Sequence, residues 1–405
     1  MLLRKRDTAP LGIGASDVIS RVTNVTIEPP SRKTMLNGIR VLDLTRVLAG
    51  PLCTMMLGDL GADIIKVERP GTGDETRGWG PPFDTSGESA YYLSVNRNKL
   101  SAALDLESAA DREVVERLAL EADVVVDNFR RGALEKRGLD PEALMARNPR
   151  LVWCTITGFG RGSRRPGYDF VTQAESGWMA ITGDPEGDPM KVGVALADVV
   201  AGKDAVAAIL AALVARSRDG AGRRIFISLM DSARAALVNV AQNVLVSGED
   251  ASRWGNAHPN LVPYQLFDAA DRPIVIAVGS DAQWVSCARA LGLPALSADP
   301  ELATNAGRLG QRERIIKEFS STLRGAPASH WLERLDAAGV PAGVVKTVRE
   351  VTNDVDASPV SGMPPSVGGG KSPRFPPPRL DEHGGVIRHR GWRVFDATFG
   401  QTDGR

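Results

Sequence analysis

The chain has 405 residues, 43% of them hydrophobic and 24% charged, and its 49 basic and 49 acidic side chains cancel to zero net charge. Such a composition buries a sizeable core and excludes intrinsic disorder, and the charge balance offers no overall attraction to nucleic acid or an anionic membrane. No apolar run approaches the roughly 20 residues of a spanning helix, and at about 150 residues per domain the length suits two or three.

Residues 1–35 open basic but carry no apolar stretch, and Asp7, Asp17 and Glu28 argue against a transit peptide, so they read as an N-terminal extension. GIRVLDL from Gly38 predicts a buried strand. TRVLAGP follows as a loop, Pro51 suits the first turn of a helix over LCTMMLGDL, and ADIIKVERP reads as the next strand. Strand, helix and strand in this span make a βαβ unit with a right-handed crossover. The alternation continues with a helix near 107–121, the strand ADVVVDNF, a helix near 141–147 and the strand LVWCTITGFG. An Ala-rich helix over KDAVAAILAALVARS, the strand RRIFISL and a helix over SARAALVNVAQNVL follow. The expectation is an α/β large domain over 36–245 with a Rossmann-like parallel sheet. RPIVIAVG, DAQWVSCARALG and ASHWLERLDAAG then predict a smaller α+β domain over 246–347. Residues 348–405 form a return segment and tail whose Pro/Gly-rich stretch at 359–378 reads as extended connector.

Several chemistries are missing. GxGxxG does not follow the first strand, and no P-loop or GxSxG occurs, which disfavours dinucleotide redox chemistry, phosphoryl transfer and serine hydrolysis. Cys53, Cys154 and Cys287 and the four histidines are too scattered for a disulfide framework or a metal site, so a reduced, cytoplasmic, metal-free protein is expected.

Asp198 ends the apolar run VGVALAD at the start of a helix. The helix's free N–H groups and positive dipole end are expected to keep it ionised. It reads either as an ordinary N-cap or as a carboxylate nucleophile shielded from water, and the local pattern alone does not separate the two. Arg46, Arg69, Arg97, Arg130, Arg131, Arg161, Arg164 and Arg165 lie in or near segments that follow predicted strands. In a parallel sheet such loops meet at the carboxyl edge, a setting for an anionic, phosphorylated small molecule. Asn128 and Phe129 offer that edge an amide and an aromatic face. Tyr168 and Asp169 contact a substrate carboxylate or cap a turn, and WGNAHPN at 254–260 is a lid or an interdomain turn.

GIRVLDLTRVLAGPLCTMMLGDLGADIIKVERPGTGDETRGWGPPF, YYLSVNRNK, ADVVVDNFRRGALEKRGLD, GYDFVTQAESGWMAITG and GVALADVVAG together resemble the class III CoA-transferases. The similarity spans about 36–350 and looks most like the dicarboxylate branch, which moves CoA from succinyl-CoA to acids such as glutarate. The resemblance implies that Asp198 is the catalytic aspartate and forms an aspartyl-CoA thioester, with acyl-CoA as substrate and no permanently bound cofactor. It places CoA against Val47, Ala49, Arg69, Leu104, Asn128 and Phe129, with Lys136 and Arg137 near the nucleotide end. Tyr168 matches the family's substrate-contacting tyrosine. The loop 255–260, with His258, stands where the family has a glycine-rich lid. Arg46 and Arg97 are the candidates for the acceptor's distal carboxylate. The family further implies an interlocked homodimer, with no nucleic-acid or membrane partner. Its racemases use a histidine where Tyr168 stands, and a phenol is a poor acid at neutral pH, which favours transfer over racemisation. A CoA-binding protein without catalysis is the remaining alternative.

Overall fold

The computed structural model describes residues 34–355, 357–362 and 373–396. Residues 1–33 of the expected extension and 363–372 of the expected connector therefore lie outside the described residues. In chain order the first unit contains β1 (Arg40–Leu44), α1 (Ala49–Asp59), β2 (Asp63–Glu68), β3 (Lys99–Ala103), α2 (Ala109–Leu120) and β4 (Val124–Asp127). It continues through α3 (Pro141–Arg147), β5 (Val152–Thr157), α4 (Asp169–Glu175), α5 (Leu196–Asp219), β6 (Arg224–Ser228), α6 (Leu229–Ala235) and α7 (Val238–Ser247). The strands form one parallel sheet in the order β3-β2-β1-β4-β5-β6. This is the doubly wound order, and its direction reverses between β1 and β4, where a crevice opens at the carboxyl ends.

Both faces of the sheet are covered, which is why its central strands read as unbroken apolar runs. Val41, Val124, Val126 and Cys154 face Cys53, Leu57, Ala205 and Ile209 of α1 and α5. Leu42, Val125 and Trp153 face Leu118 and Leu144 of α2 and α3. Phe375, Ile387 and Trp392, from the end of the chain, pack into that second layer. There the His383 N–H donates to the Ser101 carbonyl (3.0 Å) and the Ala103 N–H to Asp381 Oδ1 (2.7 Å), so the strap covers the outer edge of β3.

The second unit contains β7 (Tyr264–Asp268), β8 (Pro273–Ala277), α8 (Asp281–Ala290), α9 (Arg312–Leu323), α10 (Ala328–Ala337) and β9 (Ala342–Val344). Its three strands are antiparallel. Trp284 and Phe319, stacked at 5.8 Å between centroids, centre a core that shares no residue with the first unit's clusters. Among the described residues no helix is long and apolar enough to cross a membrane.

Two elements depart from the sequence expectation. β3 is an unforeseen strand: KLSAA looks polar, but Lys99 and Ser101 are fully buried and bonded to carboxylates. The helix expected over 232–245 is two helices, broken at Leu237–Val238, where Val238 takes φ +43°.

Candidate active site

Three segments at the carboxyl edge build the site. After β1, Arg46–Leu48 turn sharply into α1, and Val47 sits at φ +72°, a costly conformation for a β-branched residue. After β4, Asn128 brackets Arg46: its Oδ1 accepts from the Arg46 N–H (3.1 Å) and its amide donates to the Arg46 carbonyl (2.7 Å). After β5 the chain folds back on itself, because Gly158 and Gly167 pack backbone to backbone. A Cβ on Gly158 would lie 2.4 Å from the Gly167 Cα, so neither accepts a side chain. This closed loop, not a loose exit, presents Arg161, Arg164 and Arg165 and delivers Tyr168 and Asp169 to the start of α4.

Asp169 then caps a different helix. Its Oδ1 accepts from the Ala197 N–H (2.8 Å) in the first turn of α5, whose own N-cap, Ala195, has no capping side chain. Gln173 holds the other oxygen of Asp169 (2.6 Å) and ties in the Val192 N–H (2.8 Å).

Asp198 is half-buried in that same first turn. It is therefore not the N-cap expected from the sequence but lies inside the helix, while a neighbouring aspartate supplies the cap. The first N–H of α1, at Ala49, faces its carboxylate and favours the ionised form. The helices approach this closely because residue 202, one turn beyond Asp198, is glycine: a Cβ there would stand 2.7 Å from the Ala49 carbonyl oxygen. Burial, and then the charge of Asp169, push Asp198 up to about 7 against the opposing Ala49 N–H. The free N–H groups and dipole end expected to keep it ionised are thus opposed by desolvation and a like charge.

Asp198 lines a cleft of about 370 Å³ together with Val47, Ala49, Asn128–Arg131 and residues of the loop between Thr157 and Tyr168. A second cleft of about 620 Å³ adjoins it through Arg46, Phe129, Arg130 and Tyr168, and is lined further on by Arg69, Leu104 and Arg137. Guanidinium groups over aromatic faces characterise the first: Arg161 and Arg224 lie 4.7 and 4.2 Å from the Phe226 centroid, and Arg165 lies 4.0 Å from that of Phe159.

Residues 36–382 match the family model described as "CoA-transferase family III". The chain belongs to that family. It is 43% identical over 333 residues to succinate–glutarate CoA-transferase of Agrobacterium fabrum, covering 80% of this chain and 83% of that one. It is also 43% identical over 319 residues to human succinyl-CoA:glutarate CoA-transferase, covering 78% and 73%. The crystal structure of a CAIB/BAIF family protein from Brucella suis, 41% identical, superposes with a TM-score of 0.78 over 88% of this chain and 98% of that one.

In this CoA-transferase fold the expected contacts divide. Val47, Ala49, Asn128, Phe129, Tyr168, Arg46 and Asp198 line the first cleft, and Arg69, Leu104 and Arg137 the second. Arg137 is held by Glu107 at 2.6 Å, and the Asn128 amide is spent on the backbone of Arg46. Lys136 is exposed and lines neither cleft. Arg97 lines neither cleft: it is 3% exposed and forks onto Asp59 (2.9 and 2.6 Å), a partner 38 residues away that leaves no local signature. His258 also lines neither cleft; it accepts the Asn260 N–H and packs on Tyr264 at 5.2 Å.

Three residues in or beside the first cleft escaped the sequence reading. Glu75 pairs with Arg46 at 2.5 Å beside the entrance. Arg224 points its half-buried guanidinium into the first cleft from β6. Tyr91 stands where burial and the charges of Asp198, Asp169 and Asp74 push its phenol up to about 12, so it remains a neutral hydroxyl. It packs edge-on against Trp79 at 5.2 Å. Only the Tyr91 motif carried a signal, and its side-chain direction was not in it.

Proposed function

We propose that the protein moves CoA from succinyl-CoA to a dicarboxylate of the glutarate class, with Asp198 as the nucleophile. The observation that carries this reading is a half-buried carboxylate that faces one backbone N–H, has no cationic partner among the described residues, and lines a cleft rich in arginine. The relatives' activities point to the same donor and acceptor classes. An Asp198 oxygen attacks the thioester carbonyl carbon of the donor, the C–S bond breaks, and a mixed anhydride and CoA thiolate result. The thiolate attacks the aspartyl carbonyl and displaces the donor acid, leaving an aspartyl-CoA thioester. The acceptor carboxylate then reverses both steps. Thioester energy is conserved throughout, so the transfer itself needs neither ATP nor an external acid.

Arginines fit the two ends of the reactants: those near Phe226 and Phe159 suit anionic groups in the first cleft, and Arg69 and Arg137 suit a nucleotide phosphate in the second. Arg46 stands between the two, with its Nε buried and unpartnered. Tyr168, 57% exposed at the shared rim, meets the acid. Racemisation is the weaker reading because no imidazole lines either cleft. Incubation with succinyl-CoA followed by hydroxylamine is expected to mark Asp198 as its hydroxamate. An unmarked Asp198 in an enzyme that transfers CoA would dismiss the mechanism.

The active molecule in this reading is a homodimer of the interlocked kind. All of α7 lacks a buried residue, and Leu245 and Val246 are 77% and 78% exposed, an apolar face that a second copy would cover. Light scattering at twice the chain mass is the expected result.

A further inference from the structure

The strained turn before α1 needs something to hold it. A β-branched residue at φ +72° is strained relative to a relaxed backbone. The Val47 N–H donates to both oxygens of Asp74, at 3.2 and 3.3 Å. Asp74 is 1% exposed and fixed from three other sides. Lys66, completely buried, places its ammonium 3.1 Å from Oδ2 and 2.8 Å from the Thr45 carbonyl, so it spans the clamp and the turn. The Thr76 N–H and hydroxyl reach Oδ1 at 3.1 and 2.8 Å. The Asp74 backbone N–H is anchored on Glu68 at 3.0 Å, and Glu68 is itself forked by Arg77. A buried ion pair of this kind adds little net stability, because desolvation offsets its attraction. Its effect here is geometric.

Two residues beyond Val47, the chain presents the Ala49 N–H to Asp198. We infer that Asp74, braced by Lys66, is a positioning residue for the transfer: it holds Val47 in its left-handed turn and thereby aims the Ala49 N–H at the reacting carboxylate. In the free enzyme that N–H orients one oxygen of Asp198 and leaves the other to attack. When the CoA thiolate adds to the aspartyl carbonyl, the same N–H faces the oxygen on which negative charge develops. A shift of about 1 Å in such a donor is enough to cost up to about a hundredfold in rate.

The inference rests on Asp198 being the nucleophile, and its test separates the two ideas. Transfer from succinyl-CoA to glutarate is measured for the parent, Asp74→Ser, Val47→Gly and the combined variant. Serine retains a cap for the Thr76 N–H but is too short to clamp Val47. Asp74→Ser is expected to lower kcat about 30-fold in the parent and less than about threefold in the Val47→Gly background, because glycine holds a positive φ without a clamp. The rising limb of its pH profile is expected to move to higher pH as Asp198 loses the Ala49 N–H, a change that general loosening does not produce. An equal loss in both backgrounds overturns the inference. Should Asp74→Ser leave buried Lys66 too costly to fold, Lys66→Met combined with Asp74→Ser removes both charges and is read by the same comparison. Asp198→Asn is assayed alongside; if it keeps the parent rate, the nucleophile assignment fails whatever the Val47 comparison gives.

Discussion

Two buried carboxylates in the same unit are treated in opposite ways. Asp43, fully buried at the end of β1, receives the Lys99 ammonium (3.0 Å), the Thr54 hydroxyl (2.6 Å) and both the N–H and hydroxyl of Thr45 (2.9 and 2.5 Å). Burial works to raise its pKa, yet Lys99 and Lys66 hold it well below the ordinary carboxylate range. Asp198, less enclosed, gets one N–H and a neighbouring aspartate, and is pushed up to about 7. Burial alone therefore does not decide the state of a carboxylate; its partners do. Asp43 is spent on joining β1, α1 and β3, while Asp198 is left underpaired and reactive.

The sharpest way to break this contrast is to remove each carboxylate's characteristic group. Asp198→Asn is expected to abolish transfer, by at least about 10⁴-fold in kcat, with the unfolding midpoint held or raised. Residual transfer within tenfold of the parent would mean that the underpaired carboxylate does not carry the chemistry. At the other site, Lys99→Met strands Asp43 in the interior and is expected to cost about 3–5 kcal/mol in urea unfolding, whereas Lys99→Met with Asp43→Asn recovers much of it. Additive losses would mean that the two groups do not act as a pair.

The same contrast explains what was legible before the structure. β1, β2, β4, β5 and β6 announce themselves because each carries a run of apolar, mostly β-branched residues that outnumbers its few buried polar ones. β3 does not, since Lys99 and Ser101 are made compatible with the interior only by Asp43 and Glu68 from other strands. Asp198 stands out by its motif, but its raised pKa comes from burial and from Asp169, which a backbone-to-backbone glycine contact delivers from another loop. Arg97 resembled a ligand for the same reason in reverse: Asp59, which neutralises it, is remote in sequence. Residues whose roles are set by nearby periodicity are readable, and those set by a distant charge are not.

A smaller perturbation moves the nucleophile without touching its charge. Gly202→Ala places a methyl 2.7 Å from the Ala49 carbonyl oxygen and 3.3 Å from Leu52, so α1 and α5 must part by a few tenths of an ångström. Alanine favours the helix by about 1 kcal/mol, which partly offsets the clash in stability. Activity gains no such compensation, and kcat is expected to fall about tenfold while the unfolding midpoint changes little. An unchanged kcat would show that the spacing of these helices does not set the reactivity of Asp198.

The least disruptive test changes only the neighbouring charge. Asp169→Asn retains an oxygen for the Ala197 N–H, so the cap of α5 survives. Its new amide faces the Gln173 amide, a donor–donor conflict whose cost appears in the unfolding midpoint. Of the two causes that raise Asp198, burial remains and the like charge is gone, so its pKa falls toward that of an ordinary carboxylate. In the proposed mechanism the ionised carboxylate attacks, so in the parent the rate is expected to be lost as pH drops through about 7. In Asp169→Asn the rising limb of kcat/KM for succinyl-CoA is expected to shift to lower pH, raising the share of full activity retained on the acid side. A limb that stays in place would assign the raised pKa to burial alone, and a limb that moves to higher pH would mean that Asp169 favours the ionised form instead of opposing it.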